Sequence, residues 1–200
     1  PTLQAVWEML GTDRFWSAIA TTMTRAVAGF ALALLIGTAI GVLVARIRPL
    51  RLAIGALITG LQTMPSISWF PLAILLFGIN ERAILFVVVL GAAPSIANGV
   101  ISGIDQVPPA FWRLGQVLGA GPVALYRNIV LPAALPGYVS GLTQGWAFAW
   151  RSLMAGELLV IIAERPSLGA QLEFARQLAK APQLLGTMLV ILIIGMLVDG

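Results

Sequence analysis

"AVAGFALALLIGTAIGVLVA", Ala26–Ala45, is twenty consecutive residues without a charge. A helix of that length is about 30 Å long, the thickness of bilayer hydrocarbon. The rest of the chain matches it. Of 200 residues 59% are apolar and only 10% charged, with a mean hydropathy of +0.96. Soluble domains are usually about 45–50% apolar and about 25% charged. The fold class that follows is an all-α integral membrane protein, a polytopic helical bundle.

Composition also excludes functions. The isoelectric point near 10.7 reflects 12 basic against 8 acidic residues. No dense Lys/Arg stripe with interleaved aromatics appears, which argues against nucleic-acid binding. The chain has no Cys and no His. Thiol chemistry, disulfides and almost every transition-metal site are thereby removed, as is the commonest general base. An intramembrane enzyme would have to work with Ser, Asp, Glu, Lys and Tyr, and no two of these are placed as a dyad. No catalytic residue and no metal site are expected. There is no G-x-x-x-x-G-K-[ST] nucleotide loop either.

Five spans are expected, near 26–45, 58–78, 83–104, 137–162 and 184–200, in one transmembrane domain covering 1–200. The opening at Pro1 and the short final apolar run suggest that both ends are cut from a longer polypeptide. Gly29, Gly37 and Gly41 have small-xxx-small spacing, which lets another helix approach closely; Gly is also simply common in membrane helices. Span breaks are expected at Pro65, Pro71 and Pro94, since each Pro removes a backbone donor and disfavours helix before it. The chain should be helical to about Thr63, break near Pro65 and resume to Phe77. Broken backbone at membrane depth must be buried or face a water-lined cavity, and Gln62, Thr63, Ser66 and Ser68 are placed to satisfy it. The 105–134 segment, with Pro108, Pro109, Pro122 and Pro132, reads as short helices outside the hydrocarbon. Ser167 is a candidate N-cap for a short interfacial helix carrying Leu168, Leu172, Ala175 and Ala179 on one face. Charge leaves orientation nearly tied: Arg46, Arg48, Arg51, Arg113 and Arg127 on one side, Arg14, Arg25, Arg82, Arg165, Arg176 and Lys180 on the other. The tight cluster at 46–51 tips that side toward the cytoplasm. It either binds lipid phosphate or only holds the span end.

"WAFAWRSLMAGELLVII", Trp146–Ile162, places Arg151 inside the fourth span. A charge at a span centre costs about 2.5–3.5 kcal/mol on insertion scales and usually faces a bundle interior or an aqueous cavity. Guanidinium also suits oxyanions through its fixed fork of donors. Arg151 is therefore a candidate pathway residue for an anion, with an internal ion pair and snorkelling as the other readings. Glu157 lies six residues on, about 600° of helix, so the two side chains sit roughly 120° apart and do not pair within the helix. Glu157 is left to pair with another helix or to sit near the outer interface. Gln144, Ser152 and Glu157 join Arg151 as candidate translocation-pathway residues. Thr143 and Trp146 share their span. Trp69, Trp112, Trp146 and Trp150 read as interface anchors before ligand stackers.

"RLGQVLGAGPVALYRNIVLP", Arg113–Pro132, resembles the cytoplasmic coupling loop of binding-protein-dependent ABC importer permeases. The pattern there is Glu-Ala-Ala, three residues, Gly, nine residues, Ile, one residue, Leu-Pro. Gly119, Ile129, Leu131 and Pro132 fall on it; Arg113, Leu114 and Gly115 replace the Glu-Ala-Ala triplet. "MPSISWFPLAILLFGINERA", "RNIVLPAALPG" and "MAGELL" resemble the branch serving aliphatic sulfonate, nitrate, taurine and bicarbonate import. The resemblance implies a multi-pass subunit of the bacterial cytoplasmic membrane with six spans, the first lying upstream of Pro1. It also implies a second permease chain, as a homodimer, two cytoplasmic ABC ATPases and an extracytoplasmic solute-binding protein. ATP and Mg would sit on the ATPases, with no cofactor on this chain. Independently of the resemblance, Gly119 and Gly121 permit a tight corner, and Pro122 suits the first turn of the next helix. Leu118, Val123, Leu125 and Ile129 can supply an apolar docking surface. A secondary transporter or channel also accommodates the broken span, but gives no reason for the 113–132 spacing.

Overall fold

The structure is a computed structural model and describes residues 2–162 and 165–199. It is helical as expected, with no strand among the described residues. The helices are α1 (Thr2–Leu10), α2 (Asp13–Arg46), α3 (Arg48–Thr63), α4 (Phe70–Phe77), α5 (Glu81–Asp105), α6 (Pro109–Val117), α7 (Pro122–Leu125), α8 (Leu131–Leu159), α9 (Leu168–Gln177) and α10 (Ala181–Asp199). A 3-10 turn, Ser66–Trp69, precedes α4, and a π turn, Tyr126–Val130, joins α7 to α8.

Among the described residues α2, α5 and α10 are long and apolar enough to cross a membrane, and Ala53–Thr63 with Ser66–Phe77, bent by 105°, counts as a fourth crossing if taken as one span. The expected span at 137–162 falls on α8, which runs from Leu131 to Leu159 and is not among the helices apolar enough to cross by length and composition. α2 likewise begins at Asp13, well before Ala26. Asp13 lies in its first turn and Arg46 in its last, the signs that the helix dipole favours.

The prolines act unequally. Pro65 sits at the bend between α3 and the 3-10 turn. Pro71 falls in the first turn of α4, where a missing N–H costs nothing, so it starts a helix instead of breaking one. α5 runs continuously through Pro94, and α8 through Pro136. Ser167 caps α9, its hydroxyl accepting from Ala170 N at 3.3 Å. Ala179 does not continue that helix face: α9 ends at Gln177 and Ala179 turns away at φ 51°.

Contacts divide the chain into two compact units: Pro1–Leu32 with Pro65–Gly91 and Trp146–Gly200, and Ala33–Met64 with Ala92–Gly145. In the first, Phe15, Ala18 and Leu168 form a buried cluster with Met9, Ile19 and Val190 against it. A Cβ on Gly156 would lie 2.9 Å from the ring of the buried Phe70 and 3.2 Å from Ile84. In the second, Val44, Ile58 and Ala97 form one core. There α2 approaches α5 closely: a Cβ on Gly37 would stand 2.6 Å from the Ala93 carbonyl. This settles the use of the Gly37/Gly41 spacing as helix contact.

Candidate functional site

The 109–132 segment folds as a knob on its own small core. Val107, Leu125, Val130 and Ala134 are buried, with Trp112, Tyr126 and Ile129 packed round them. α6 ends in a Schellman turn: Gly119 N donates to Gln116 O at 3.0 Å and Ala120 N to Gly115 O at 2.9 Å. Gly119 reaches φ 71° to do this, whereas Gly121 has ordinary extended backbone at φ −65°. Gly119 therefore turns the corner, and Gly121 is not required for it. Pro122 opens α7 as expected.

The apolar surface of this knob differs from the expected one. Leu125 is buried and Ile129 half-buried, both lying against Gly115, where a Cβ would come within 3.0 Å of Ile129 Cδ1. The outward side chains are Val117 (84% exposed), Val123 (80%) and Leu118 (71%), with Leu114 beside them. Arg113, Gly121, Leu131 and Pro132 are also exposed. Arg46 places its guanidinium 5.1 Å from the Tyr126 ring centroid, and Tyr126 meets Trp112 edge-on at 5.5 Å. Trp112 is thus a packing residue. Arg51 pairs with Asp105, and the Arg48 side chain lies outside the described residues.

At the broken span Gln62 does not serve freed backbone groups. It bridges to α5, donating to Ser95 Oγ at 2.9 Å and accepting from Asn98 Nδ2 at 2.7 Å. Thr63 does serve one, its hydroxyl donating at 2.8 Å to Gly60 O in the last turn of α3. Gln62→Leu should leave the buried Ser95 hydroxyl and the Asn98 amide short of a partner, at about 1–3 kcal/mol. The expected result is a thermal midpoint several degrees lower in detergent; an unchanged midpoint would show that the bridge is idle.

In the first unit an open groove of ≈ 970 Å³ is lined by Trp146, Trp150, Arg151, Met154 and Leu158 of α8, Gly169 and Leu172 of α9, and Leu185, Met188, Leu192 and Met196 among others of α10. Trp146 and Trp150 stack there, with ring centroids 6.5 Å apart. Arg151 donates Nε–H to Ala147 O at 3.0 Å, and its guanidinium carbon lies 4.7 Å from the Phe148 ring centroid. It has no carboxylate within ion-pair distance among the described residues. Its terminal N–H groups have no hydrogen-bond partner among the described residues. Ser152 faces elsewhere: it is buried against Gly91, with its hydroxyl unpartnered among the described residues. Gln144 is exposed in the second unit.

Glu157 is fully buried and lines no part of the groove. Its Oε1 accepts from Arg25 Nη1 at 2.8 Å and its Oε2 from Gly169 N at 3.1 Å; Thr22 Oγ donates to the same carboxylate at 2.9 Å. Arg25 also holds Glu81 bidentately at 2.6 and 2.7 Å. The sequence reading missed Thr22, Arg25 and Glu81. Thr22 and Arg25 share a helix face at three-residue spacing, but only Glu157 and Glu81 give that face a purpose. On α9 the Arg176 hydrogen bond holds the Glu173 carboxyl down to about 2. This pair of a half-buried carboxylate and an exposed guanidinium loses its charge only as pH falls through that value, so physiological pH leaves it intact.

Residues 37–199 match the family described as binding-protein-dependent transport system inner membrane component. The bicarbonate transport system permease protein of Synechococcus elongatus is 31% identical over 75% of this chain and 54% of its own length. The taurine transport system permease protein of Escherichia coli is 27% identical over 92% of this chain and 66% of its own. The chain thus spans between about half and two thirds of these relatives. A crystal structure of an amino acid ABC transporter aligns with a TM-score of 0.67, covering 93% of this chain and 87% of that one at 18% identity, which speaks to the fold alone.

Proposed function

The chain belongs to the family of binding-protein-dependent transport system inner membrane components, and from that premise we propose that it is the permease subunit of an ATP-driven importer. The observation that carries this is the knob at 109–132, a rigid corner with four apolar side chains turned outward. On this reading the knob faces the cytoplasm and sits in a groove of an ABC ATPase. Two permease chains, as a homodimer, and two ATPases complete the transporter. ATP and Mg reside on the ATPases. Their closure swings the permeases outward, a solute-binding protein delivers its cargo, and hydrolysis resets the pair. The chain itself carries force and solute and performs no bond chemistry.

The solute is a small oxyanion of the sulfonate, taurine, nitrate or bicarbonate kind. The relatives' names support this class, as does Arg151. A guanidinium facing an apolar groove, with its terminal donors unpartnered among the described residues, is costly beside lipid and useful beside an anion. Arg151→Gln keeps the length and some donors but removes the charge. Uptake of the transported anion into liposomes by the assembled complex should fall at least about tenfold, the loss of one charge-assisted hydrogen bond. Unchanged uptake with normal assembly would sink the role of Arg151.

A further inference from the structure

The buried Glu157 is not explained by transport chemistry, yet it is the most heavily bonded side chain of the first unit. All three of its partners are donors: Arg25 Nη1, Thr22 Oγ and Gly169 N. Thr22 Oγ in turn accepts from Leu168 N at 3.1 Å. The first three N–H groups of α9 therefore go to Thr22 of α2, Glu157 of α8 and its own cap Ser167. Free N–H groups at a helix start need such acceptors. Here two of the three come from other helices, and the carboxylate is locked by a guanidinium that is itself only 5% exposed. Gly169 lies hard against α8: a Cβ there would be 3.0 Å from the Glu157 carbonyl carbon and 3.1 Å from Leu158 N. Gly169 and Leu172 are also the α9 residues of the groove that Arg151 lines.

We propose that Glu157 is a positioning residue for solute passage: held by Arg25, it fastens the start of α9 to α8, so that Gly169 and Leu172 keep their place in the Arg151 groove. This rests on the transport reading for its consequence, but not for the tether itself. A carboxylate offers only acceptors, and Gln puts a donor against donors. Glu157→Gln should therefore release α9 while changing almost no volume. Gly169→Ala should do the same by steric push. Ser167→Ala removes the local cap and leaves both cross-helix bonds in place, so α9 should stay fastened.

The chain has no cysteine, so Leu172→Cys gives each permease chain a single label site for a water-soluble maleimide, read on the permease band of the assembled complex in liposomes. Glu157→Gln and Gly169→Ala should each speed labelling about tenfold, as expected for loss of one charge-assisted bond. Ser167→Ala should not, and a control Gln106→Cys, exposed just before α6, should be unaffected by any of them. Equal Leu172→Cys labelling with and without Glu157→Gln would overturn the tether. For the groove, uptake of taurine, nitrate and bicarbonate is measured in the same liposomes. For whichever anion the unmodified complex imports, Glu157→Gln should raise the apparent KM about tenfold with the maximal rate within about twofold. Faster labelling with an unchanged KM would overturn the positioning role. If the unmodified complex imports none of the three while the labelling responds as stated, the tether stands and the oxyanion reading fails.

Discussion

Gly141→Leu is expected to prevent the chain from reaching its fold. A Cβ at residue 141 would stand 2.6 Å from Gly99 Cα and 3.1 Å from both Gly99 N and the Ser95 carbonyl. The contact is reciprocal: a Cβ on Gly99 would lie 2.5 Å from Gly141 Cα, and one on Gly137 2.5 Å from Gly103 Cα. Overpacking a core usually costs about 1–3 kcal/mol because side chains can rotate aside. Here the obstacle is backbone on both helices, so α5 and α8 must separate along the whole crossing. Recovery of monodisperse protein in mild detergent should fall to near nothing. Gly55 offers the contrast, since a Cβ there meets nothing within 4 Å. Gly55→Ala in the interior of α3 should stabilise by about 0.5–1 kcal/mol through reduced backbone freedom. Normal recovery of Gly141→Leu would mean the α5–α8 crossing is misplaced.

The second large effect concerns the knob. Val117 and Leu118 are exposed, so replacing both with Asp should leave the fold of this chain intact. Burying each in a partner groove is worth about 1.5–3 kcal/mol. Losing both, and burying unpaired charge in their place, should weaken ATPase binding by at least about a hundredfold. Co-purification of an ATPase with the double variant should be lost while the amount of folded permease is unchanged. Gly119→Val should act through the corner instead, because a β-branched residue resists the positive φ that the Schellman turn needs. Retention of the ATPase by the double variant would place the coupling surface elsewhere.

What the sequence revealed and what it hid follow one physical line. Features set by neighbours along the chain were legible. The uncharged run 26–45 lies inside α2, Pro65 breaks the third helix, Gly119 turns the corner and Ser167 caps α9. Features set by distant partners were not. Arg25 looked like a span boundary because its carboxylates lie 56 and 132 residues away. With them, a charge can sit inside a long helix, and α2 starts at Asp13. Leu125 and Val117 are both apolar and both near the corner; only the packing against Gly115 shows that one is core and the other surface. Pro71 and Pro94 read as breaks because a proline's effect depends on whether it opens a helix or sits within one. The Gly99/Gly103 and Gly137/Gly141 pairs carry the same spacing as Gly37/Gly41, so that crossing was present in the sequence without a partner to give it meaning.

On the proposed function this chain transmits force from ATP hydrolysis to a solute path through the 109–132 knob. This coupling is tested most directly by ATP hydrolysis in liposomes holding the permease, its ATPase and a solute-loaded binding protein. Hydrolysis should rise when the loaded binding protein is added, and the rise should disappear in the Val117→Asp, Leu118→Asp variant. Stimulation of the same size in that variant, or solute import that persists with no ATPase present, would contradict it.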